Sequence, residues 1–350
     1  MDKNLIFSII LFKSKALKYL YIIMLIIISS ILFGKNTYYK YNNKFFFFEQ
    51  NQDELNYCQD YGILVYNYSY NGKIDKVRAN IGDYIQSLAA LQYLPKNCKP
   101  YFIDRDSIQY YHGPKVKLIM NGWHILKEGN KYSSTQIIPF FLSYHLENQT
   151  NLPSIYIENL KKFSPIGCRD KTTKEQLNKY GINTYFSSCL TTTLDIDYLV
   201  KEKERTNDII FIDYKFRKYP KADKFLRSLK KYNFNHIIYT SHKFNLNLTH
   251  IERFKLAKSL LEKYSKAKLV ITTRIHGALP CLALHIPVIL INKKYDYLRF
   301  PGLYELLNTI GINYEKKFEI RVNINDKGFV FNSKKYLKYS DELKNKFQNF

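Results

Sequence analysis

Residues 253–291 read RFKLAKSLLEKYSKAKLVITTRIHGALPCLALHIPVILI, and their pattern decides the fold. Ile251, Phe254, Ala257, Leu260, Leu261 and Tyr264 recur at helical spacing, so Ile251–Ala267 is expected to be a helix with one buried stripe. Lys268–Thr272 (KLVIT) reads as a short strand, and Pro287–Ile291 (PVILI) as another. Between them His276–His285 reads as a small-apolar helix. Strand, helix and strand in that order form a parallel pair, and such sheets carry helices on both faces.

The alternation continues outward in both directions. On the N-terminal side, strands are expected at Gly62–Tyr66, Tyr101–Asp104, Val116–Met120, Ile137–Leu146 and Asn183–Phe186. Helices are expected at Asp83–Leu94, with Pro95 just beyond, and at Thr172–Tyr180, stopped by Gly181. A second series opens with a strand at Asp208–Tyr214, a helix at Lys221–Lys231 and a strand at His236–Thr240. A charge run near 195–207 separates the two series. The reading is α/β, with two Rossmann-like domains, 58–200 and 201–350, facing across a glycosyltransferase-B-like cleft. Ligands in such sheets bind beyond the carboxyl ends of the strands. The loops after Tyr66, Met120, Tyr214, Thr240 and Thr272 are therefore the places for chemistry.

The chain has 350 residues, of which 46% are hydrophobic and 24% charged, a mixture that excludes a disordered tail, a collagen or a polytopic membrane protein. Lys and Arg outnumber Asp and Glu by 54 to 30, a net charge of +24. The lysines are scattered, with no basic helix, RNP segment or zinc-finger spacing, so no nucleic-acid partner is expected. A basic surface suits anionic substrates or an anionic membrane face. Five cysteines in so long a chain do not make a disulfide scaffold, and the odd count leaves at least one not paired within a monomer.

Residues 19–33, YLYIIMLIIISSILF, carry no charge and, with Ala16, Leu17 and Gly34, approach the length of a membrane-spanning helix. Lys3, Lys13, Lys15 and Lys18 precede the run, which favours a cytoplasmic N-terminus. A cleaved signal peptide is the alternative, for which Ser29, Ser30 and Gly34 are small but form no A-x-A-like end. The expectation is an uncleaved anchor over 1–34 and a polar, aromatic stem over 35–57. The body then lies on the lumenal or exoplasmic side of a single-pass type II protein. Sequons at Asn67, Asn148 and Asn247 would be compatible with that side.

Thr272-Thr273-Arg274-Ile275-His276-Gly277 follows a strand and opens a helix. Backbone N–H groups at a helix N-terminus attract anions, Arg274 adds a fork for carboxylate or phosphate, and His276 titrates near neutrality. Together they suit a small dianion; the alternative is a buried Arg and a capping His. Asn80-Ile81-Gly82-Asp83 opens another helix. Asp83 could cap it, and Gly82 would permit close backbone approach. Arg169 stands beside a third helix start, where a structural ion pair is the alternative. Asp104-Arg-Asp106 and Asp195-Ile-Asp197 have the D-x-D form of metal-dependent glycosyltransferases, but no metal is assigned to them. Cys168 and Cys189 lack zinc spacing. His112, His124, His145, His236, His242 and His250 each have a structural reading. No G-x-S-x-G, Walker A or G-x-G-x-x-G motif occurs.

Three ordered blocks resemble the polysaccharide pyruvyl transferases. Residues 253–291 are similar to that family's R-x3-A-x2-L-L, A-x-L-V-x-T-x-R-[LI]-H and P-V-I pieces. Residues 164–194, SPIGCRDKTTKEQLNKYGINTYFSSCLTTTL, are similar to its P-I-G-x-R-D-x2-T and S-x-C-L-T-x-T-L pieces. Residues 79–95, ANIGDYIQSLAALQYLP, are similar to its N-x-G-D-x-x-Q-x-x-A, with NGW at 121–123 and SYHL at 143–146 between. The resemblance spans roughly 60–300. It implies transfer of pyruvate from phosphoenolpyruvate to a sugar diol of a glycan as a ketal, releasing phosphate and using no cofactor. By the same resemblance Arg274, the backbone of Ile275, and His276 bind the donor, and Arg169 adds a second grip. Domain 201–350 is then the donor side and 58–200 the acceptor side, where Asn80, Gly82 and His124 lie. His276 and Asp83 are the candidate acid–base pair. Alternatives are a glycosyltransferase using a nucleotide sugar and a non-catalytic glycan-binding relative. Two departures stand out: His285 and Ser188 replace glycines common in the family.

Overall fold

The computed structural model describes residues 60–70, 73–74, 79–95, 100–124, 134–147, 151–195, 205–234, 236–292, 300–313 and 316–347. The anchor at 19–33, the stem and the centre of the inter-domain charge run lie outside the described residues. Among the described residues, no helix is long and apolar enough to cross a membrane.

The first half begins with β1 (Tyr61–Val65), a small hairpin of β2 (Ser69–Tyr70) and β3 (Lys73–Ile74), and helix α1 (Ile81–Leu91). β4 (Tyr101–Asp104), β5 (Val116–Ile119), β6 (Gly122–His124), β7 (Ile137–Phe140) and β8 (Tyr144–Leu146) follow. Helix α2 (Ser154–Lys162), β9 (Ile166–Cys168), α3 (Lys171–Asn178) and β10 (Thr184–Phe186) complete it. The strands form two four-stranded parallel sheets, β4-β1-β5-β7 and β10-β9-β8-β6.

The two sheets are joined end to end by chain continuity at a fold line. β5 runs on into β6 across Met120 and Asn121, and β7 into β8 across Phe141–Ser143. Met120 N–H donates to Phe140 O at 2.8 Å on one side of the line, and Gly122 N–H to Ser143 O at 3.3 Å on the other. Ser143 has φ +58, a left-handed conformation that no strand tolerates, so the single strand expected over Ile137–Leu146 is two strands. Joined across the fold line, the order is β4-β1-β5/β6-β7/β8-β9-β10.

The second half repeats that order. β11 (Ile209–Ile212), α4 (Pro220–Ser228), β12 (Ile237–Thr240), α5 (His250–Lys266), β13 (Leu269–Thr272), α6 (Ile275–Ala283) and β14 (Val288–Ile291) precede β15 (Asn308–Ile312) and β16 (Phe318–Arg321). They form one sheet, β12-β11-β13-β14-β15-β16, parallel except for the last strand. The architecture is mixed α/β with Rossmann-like parallel sheets. In each half the strand order reverses beside the first strand, between β1 and β5 and between β11 and β13. These switch points are where open parallel sheets leave a crevice for ligands.

Both faces of the second sheet are covered. Ile210, Ile212, Val270, Val288 and Leu290 pack with α5 and α6, while Ile209, Phe211, Leu269, Ile271 and Ile289 pack with α4. The first of these cores runs without a break from Ile63 and Ile85 in the first half to Leu261, Leu279 and Leu343 in the second. The C-terminal helix α7 (Tyr336–Lys346) returns to the first half, where Phe347 just beyond it stacks on Tyr93 with ring centroids 3.7 Å apart. Neither α2 nor α7 was expected from the sequence.

Candidate active site

The donor-side wall is built at the β11/β13 switch point. β13 ends at Thr272, whose hydroxyl oxygen accepts the Arg274 N–H at 2.9 Å and so turns the chain into α6. Arg274 is the N-cap residue of α6 in extended backbone, and the first intrahelical bond runs from Gly277 N–H to Arg274 O at 3.0 Å. The amides of Ile275 and His276 precede that bond. Gly277 is required by packing: a Cβ there would lie 2.7 Å from Thr272 Oγ1 and 3.0 Å from Ile212 Cδ1. The short helix therefore sits hard against the end of its sheet, with its N-terminus fixed.

Arg274 is not loose. Asp213, the residue after β11, accepts from its Nε at 2.6 Å through Oδ2. The same carboxylate accepts the His242 N–H at 3.2 Å and the Ser241 hydroxyl at 2.5 Å. Burial works against the charge on Asp213, but the Ser241 and Arg274 hydrogen bonds outweigh it and hold the pKa below the usual carboxylate range. Asp213 went unmarked in the sequence reading. The signal that could have found it is its position: an acidic residue at the carboxyl end of the first strand of the second series.

The facing wall is the N-terminus of α1. The cap there is Asn80, whose Oδ1 accepts the Gly82 N–H at 3.1 Å, so the capping role expected for Asp83 belongs to Asn80. Asp83 sits in the first helical turn, where no cap is needed. Gly82 allows the close approach expected of it: an added Cβ would meet His276 Cβ at 2.9 Å and His242 Nδ1 at 3.1 Å. The Ile81 N–H donates to His242 O at 2.8 Å. The N-termini of α1 and α6 thus meet at Gly82 and His276, with the 241–242 turn bridging them. At α1 the Ile81, Gly82 and Asp83 amides are already taken by His242 O, Asn80 Oδ1 and Asn80 O. The features that favour an anion here are therefore the N-terminus of α6, which has no side-chain cap, and the Arg274 guanidinium beside it.

Asp83 is buried beside this junction. It accepts from the Tyr68 hydroxyl at 3.3 Å and from Gln86 Nε2 at 3.2 Å. Burial pushes its pKa up, against the opposing pull of Arg105 and the Tyr68 hydrogen bond. Gln86 Oε1 in turn accepts from Arg169 Nη1 at 3.2 Å, and Asn121 Nδ2 donates to Gln86 O at 2.8 Å. Arg169, at the end of β9, is thereby tied to the helix that carries Asp83. His124 lies on β6 with its ring 4.8 Å from that of Tyr144. Its pKa is pushed well below the ordinary histidine value by burial first and then by Arg105, His145 and Arg169, so it is neutral.

Asn80, Gly82, Arg274, Ile275 and His276 thus meet at the α1–α6 junction, and Asp83 follows in the same turn of α1. Arg169 is tied to Asp83 through Gln86, and His124 on β6 feels the charge of Arg169. Sequence reasoning missed Tyr68, Gln86, Arg105 and Asp213. Arg105 lies over the Tyr66 ring at 4.8 Å and pairs with Asp106 at 2.8 Å, which engages one member of a D-x-D pair. The other member, Asp104, accepts the Asn67 N–H at 2.9 Å and the Ser107 hydroxyl at 2.8 Å. His145 Nδ1–H donates to Asp170 Oδ2 at 2.5 Å, and the same Asp170 caps α3 by accepting the Thr173 N–H. Among the described residues, no group of three His, Cys, Asp or Glu side chains is placed to hold a metal ion.

A family model described as polysaccharide pyruvyl transferase matches residues 80–295, which include both walls of the site. The chain belongs to the polysaccharide pyruvyl transferase family. Membership makes it a transferase with a glycan acceptor. Among solved structures it is similar to the crystal structure of a functional uncharacterized protein, KP1_0663, from Klebsiella pneumoniae subsp. pneumoniae NTUH-K2044. That likeness has 15% identity and a TM-score of 0.41, covering 71% of this chain and 89% of the other. No curated protein matches.

Both departures from the polysaccharide pyruvyl transferase pattern fall on left-handed backbone. His285 has φ +56 and Ser188 φ +63, the region where glycine is at ease. After His285 the Ile286 N–H donates to Cys281 O at 2.8 Å, the bond of a Schellman ending. His285 strains that cap, about 1 kcal/mol, without touching the junction of α1 and α6.

Proposed function

We propose that this chain transfers pyruvate from phosphoenolpyruvate to two hydroxyls of one sugar in a glycan, forming a cyclic ketal and releasing phosphate. The observation that carries the reading is the meeting of the α1 and α6 N-termini at Gly82 and His276, with Arg274 capping α6. A dianion with adjacent carboxylate and phosphate suits that point. Arg274 and the amides of Ile275 and His276 grip it, and Arg169 closes on it from the first half. The donor is a substrate, and no cofactor is assigned.

The enol double bond has to gain a proton at its methylene carbon while a sugar hydroxyl oxygen bonds to C2. His276 is the group we assign to deliver that proton. Asp83 takes the proton from the attacking hydroxyl, and its raised pKa is suited to that work. Loss of phosphate from C2 and attack by the second hydroxyl, with release of its proton, close the ketal. Asn80, Gly82 and His124 line the acceptor side. In this reading 58–200 is the acceptor domain and 201–350 the donor domain, facing across a cleft whose floor is the α1–α6 junction. The 19–33 span would tether the body to the lumenal or exoplasmic side of a membrane, with the N-terminus in the cytoplasm.

The test incubates the full chain with phosphoenolpyruvate and a diol-bearing glycan. We expect stoichiometric phosphate and acid-labile pyruvate on the glycan. Arg274→Ala should lower the rate by a factor on the order of 10²–10³, the usual effect of removing an anion-stabilising donor. Turnover of a nucleotide sugar without phosphoenolpyruvate would replace this reading with the glycosyltransferase one.

A further inference from the structure

Asp213 occupies the switch point of the second sheet and carries a backbone that needs explaining. Its φ is +51, a left-handed conformation that strains a residue with a Cβ. Glycine would relieve that strain at once but would supply no carboxylate. The conformation is held from three sides: Asp213 N–H donates to Thr240 O at 3.0 Å, Thr273 N–H to Ile212 O at 3.2 Å, and the Thr273 hydroxyl to Asp213 O at 3.2 Å. What the strain achieves is the aim of the side chain, which reaches Arg274 on one side and the 241–242 turn on the other.

We propose that Asp213 is the positioning residue of the donor clamp. It holds Arg274 by Nε, which leaves the Nη edge of the guanidinium as the fork presented to the donor anion, and it fixes the turn on which α1 docks. The proposal rests on the assignment of Arg274 to the donor. Exposure agrees with the order of the parts: the Arg274 side chain is 28% exposed and that of Asp213 15%, so the arginine is the outer member. The link to the acceptor side is direct. Asp213 accepts the His242 N–H, His242 O accepts the Ile81 N–H, and the His242 ring packs against Gly82 with its Nε2 3.1 Å from the Tyr264 hydroxyl. A displacement of this carboxylate therefore disturbs Arg274 and the helix turn bearing Asp83 together. No other carboxylate is seen bonded to Arg274 among the described residues.

Calorimetric titration of the full chain with phosphoenolpyruvate tests this, using wild type, Asp213→Ala, Arg274→Lys and the double variant. Loss of a charge-assisted hydrogen bond that orients the clamp should weaken binding by about 10- to 100-fold in Asp213→Ala. Lysine has no Nε–H fork to orient, so adding Asp213→Ala to Arg274→Lys should cost almost nothing more; that non-additivity is the mark of acting through the arginine. Asp213→Asn keeps an acceptor of the same shape and should fall between. It takes the place of Asp213→Ala in the cycle should that variant not fold. Wild-type affinity in Asp213→Ala, or losses that add in full with Arg274→Lys, would overturn the proposal while leaving the donor assignment standing. Failure of the wild type to bind phosphoenolpyruvate would overturn both.

Discussion

A buried carboxylate can be recognised by what its charge costs. Asp83 lies at the first turn of α1, where the helix N-terminus favours an anion, yet burial prevails and raises its pKa. The folded state therefore binds the more protons in the window from about 3.9, the unfolded value, up to the raised folded value. Stability falls as pH rises through that window. Asp83→Asn removes this fall, so the variant should gain on wild type as pH rises above about 4 in urea unfolding while losing turnover. A loss of stability at pH 7 with turnover intact would make Asp83 structural. At this scale the sequence displayed Arg274 and His276 clearly, because a strand, a polar turn and a small-apolar helix frame them. Asp213 and Gln86 were hidden, because one follows a strand with no periodic signature and the other sits inside a helix whose spacing marks it only as interior. The cap expected of Asp83 is held by Asn80, since either side chain at that spacing can reach a helix N–H.

Two elements meet where neither can spare an atom. Gly82→Ala would place a methyl 2.9 Å from His276 Cβ, so α1 would have to back away from α6. Overpacking of this kind costs about 1–3 kcal/mol, and the separation should also cut turnover. Guanidinium unfolding beside a rate assay reads both, and a fully active, fully stable variant would show the junction to be slack. At the far end of α6, His285→Gly should do the reverse and add about 1 kcal/mol of stability with activity unchanged, by relieving the left-handed cap. Strands and helices were legible here to within a few residues, since buried strands and amphipathic helices write their periods plainly. The break at Phe141–Ser143 was not. Ile137–Leu142 is apolar throughout, and a lone Ser143 after it does not signal a left-handed turn that divides the run. The C-terminal helix α7 was missed because its stripe is thin: Tyr336, Ser340 and Leu343 are its buried residues.

Over the whole molecule, the halves are held by burial that spans both. Arg253 on α5 reaches into the first half, donating from Nη1 to Tyr66 O at 2.7 Å and to the Tyr84 hydroxyl at 3.1 Å, and from Nη2 to Leu246 O at 2.6 Å. Beside it His250 shares the Tyr84 hydroxyl at 2.7 Å. Burial, with a further push from Arg253, lowers the His250 pKa to about 3, and burial lowers that of His242 likewise to about 3. With His124 depressed as well, these histidines fold neutral and take up protons on unfolding. Their contribution is complete above the unfolded value of roughly 6.5 and is lost as pH falls from there toward the folded values. The melting temperature should therefore drop steeply between pH 6.5 and pH 4, and a flat profile would mean that the histidines are solvated. The mixed α/β architecture with Rossmann-like parallel sheets was legible because strand–helix alternation recurs along the chain. The shared core was not, since no local period records which helix faces another half.

The anion site proposed where the α1 and α6 N-termini meet is tested most directly by equilibrium binding to the full chain. Phosphoenolpyruvate, UDP and GDP are titrated in turn into the wild type and into Arg274→Ala. Saturable binding of phosphoenolpyruvate alone, lost in Arg274→Ala, is the expected result. Binding of a nucleotide with none of phosphoenolpyruvate would contradict it.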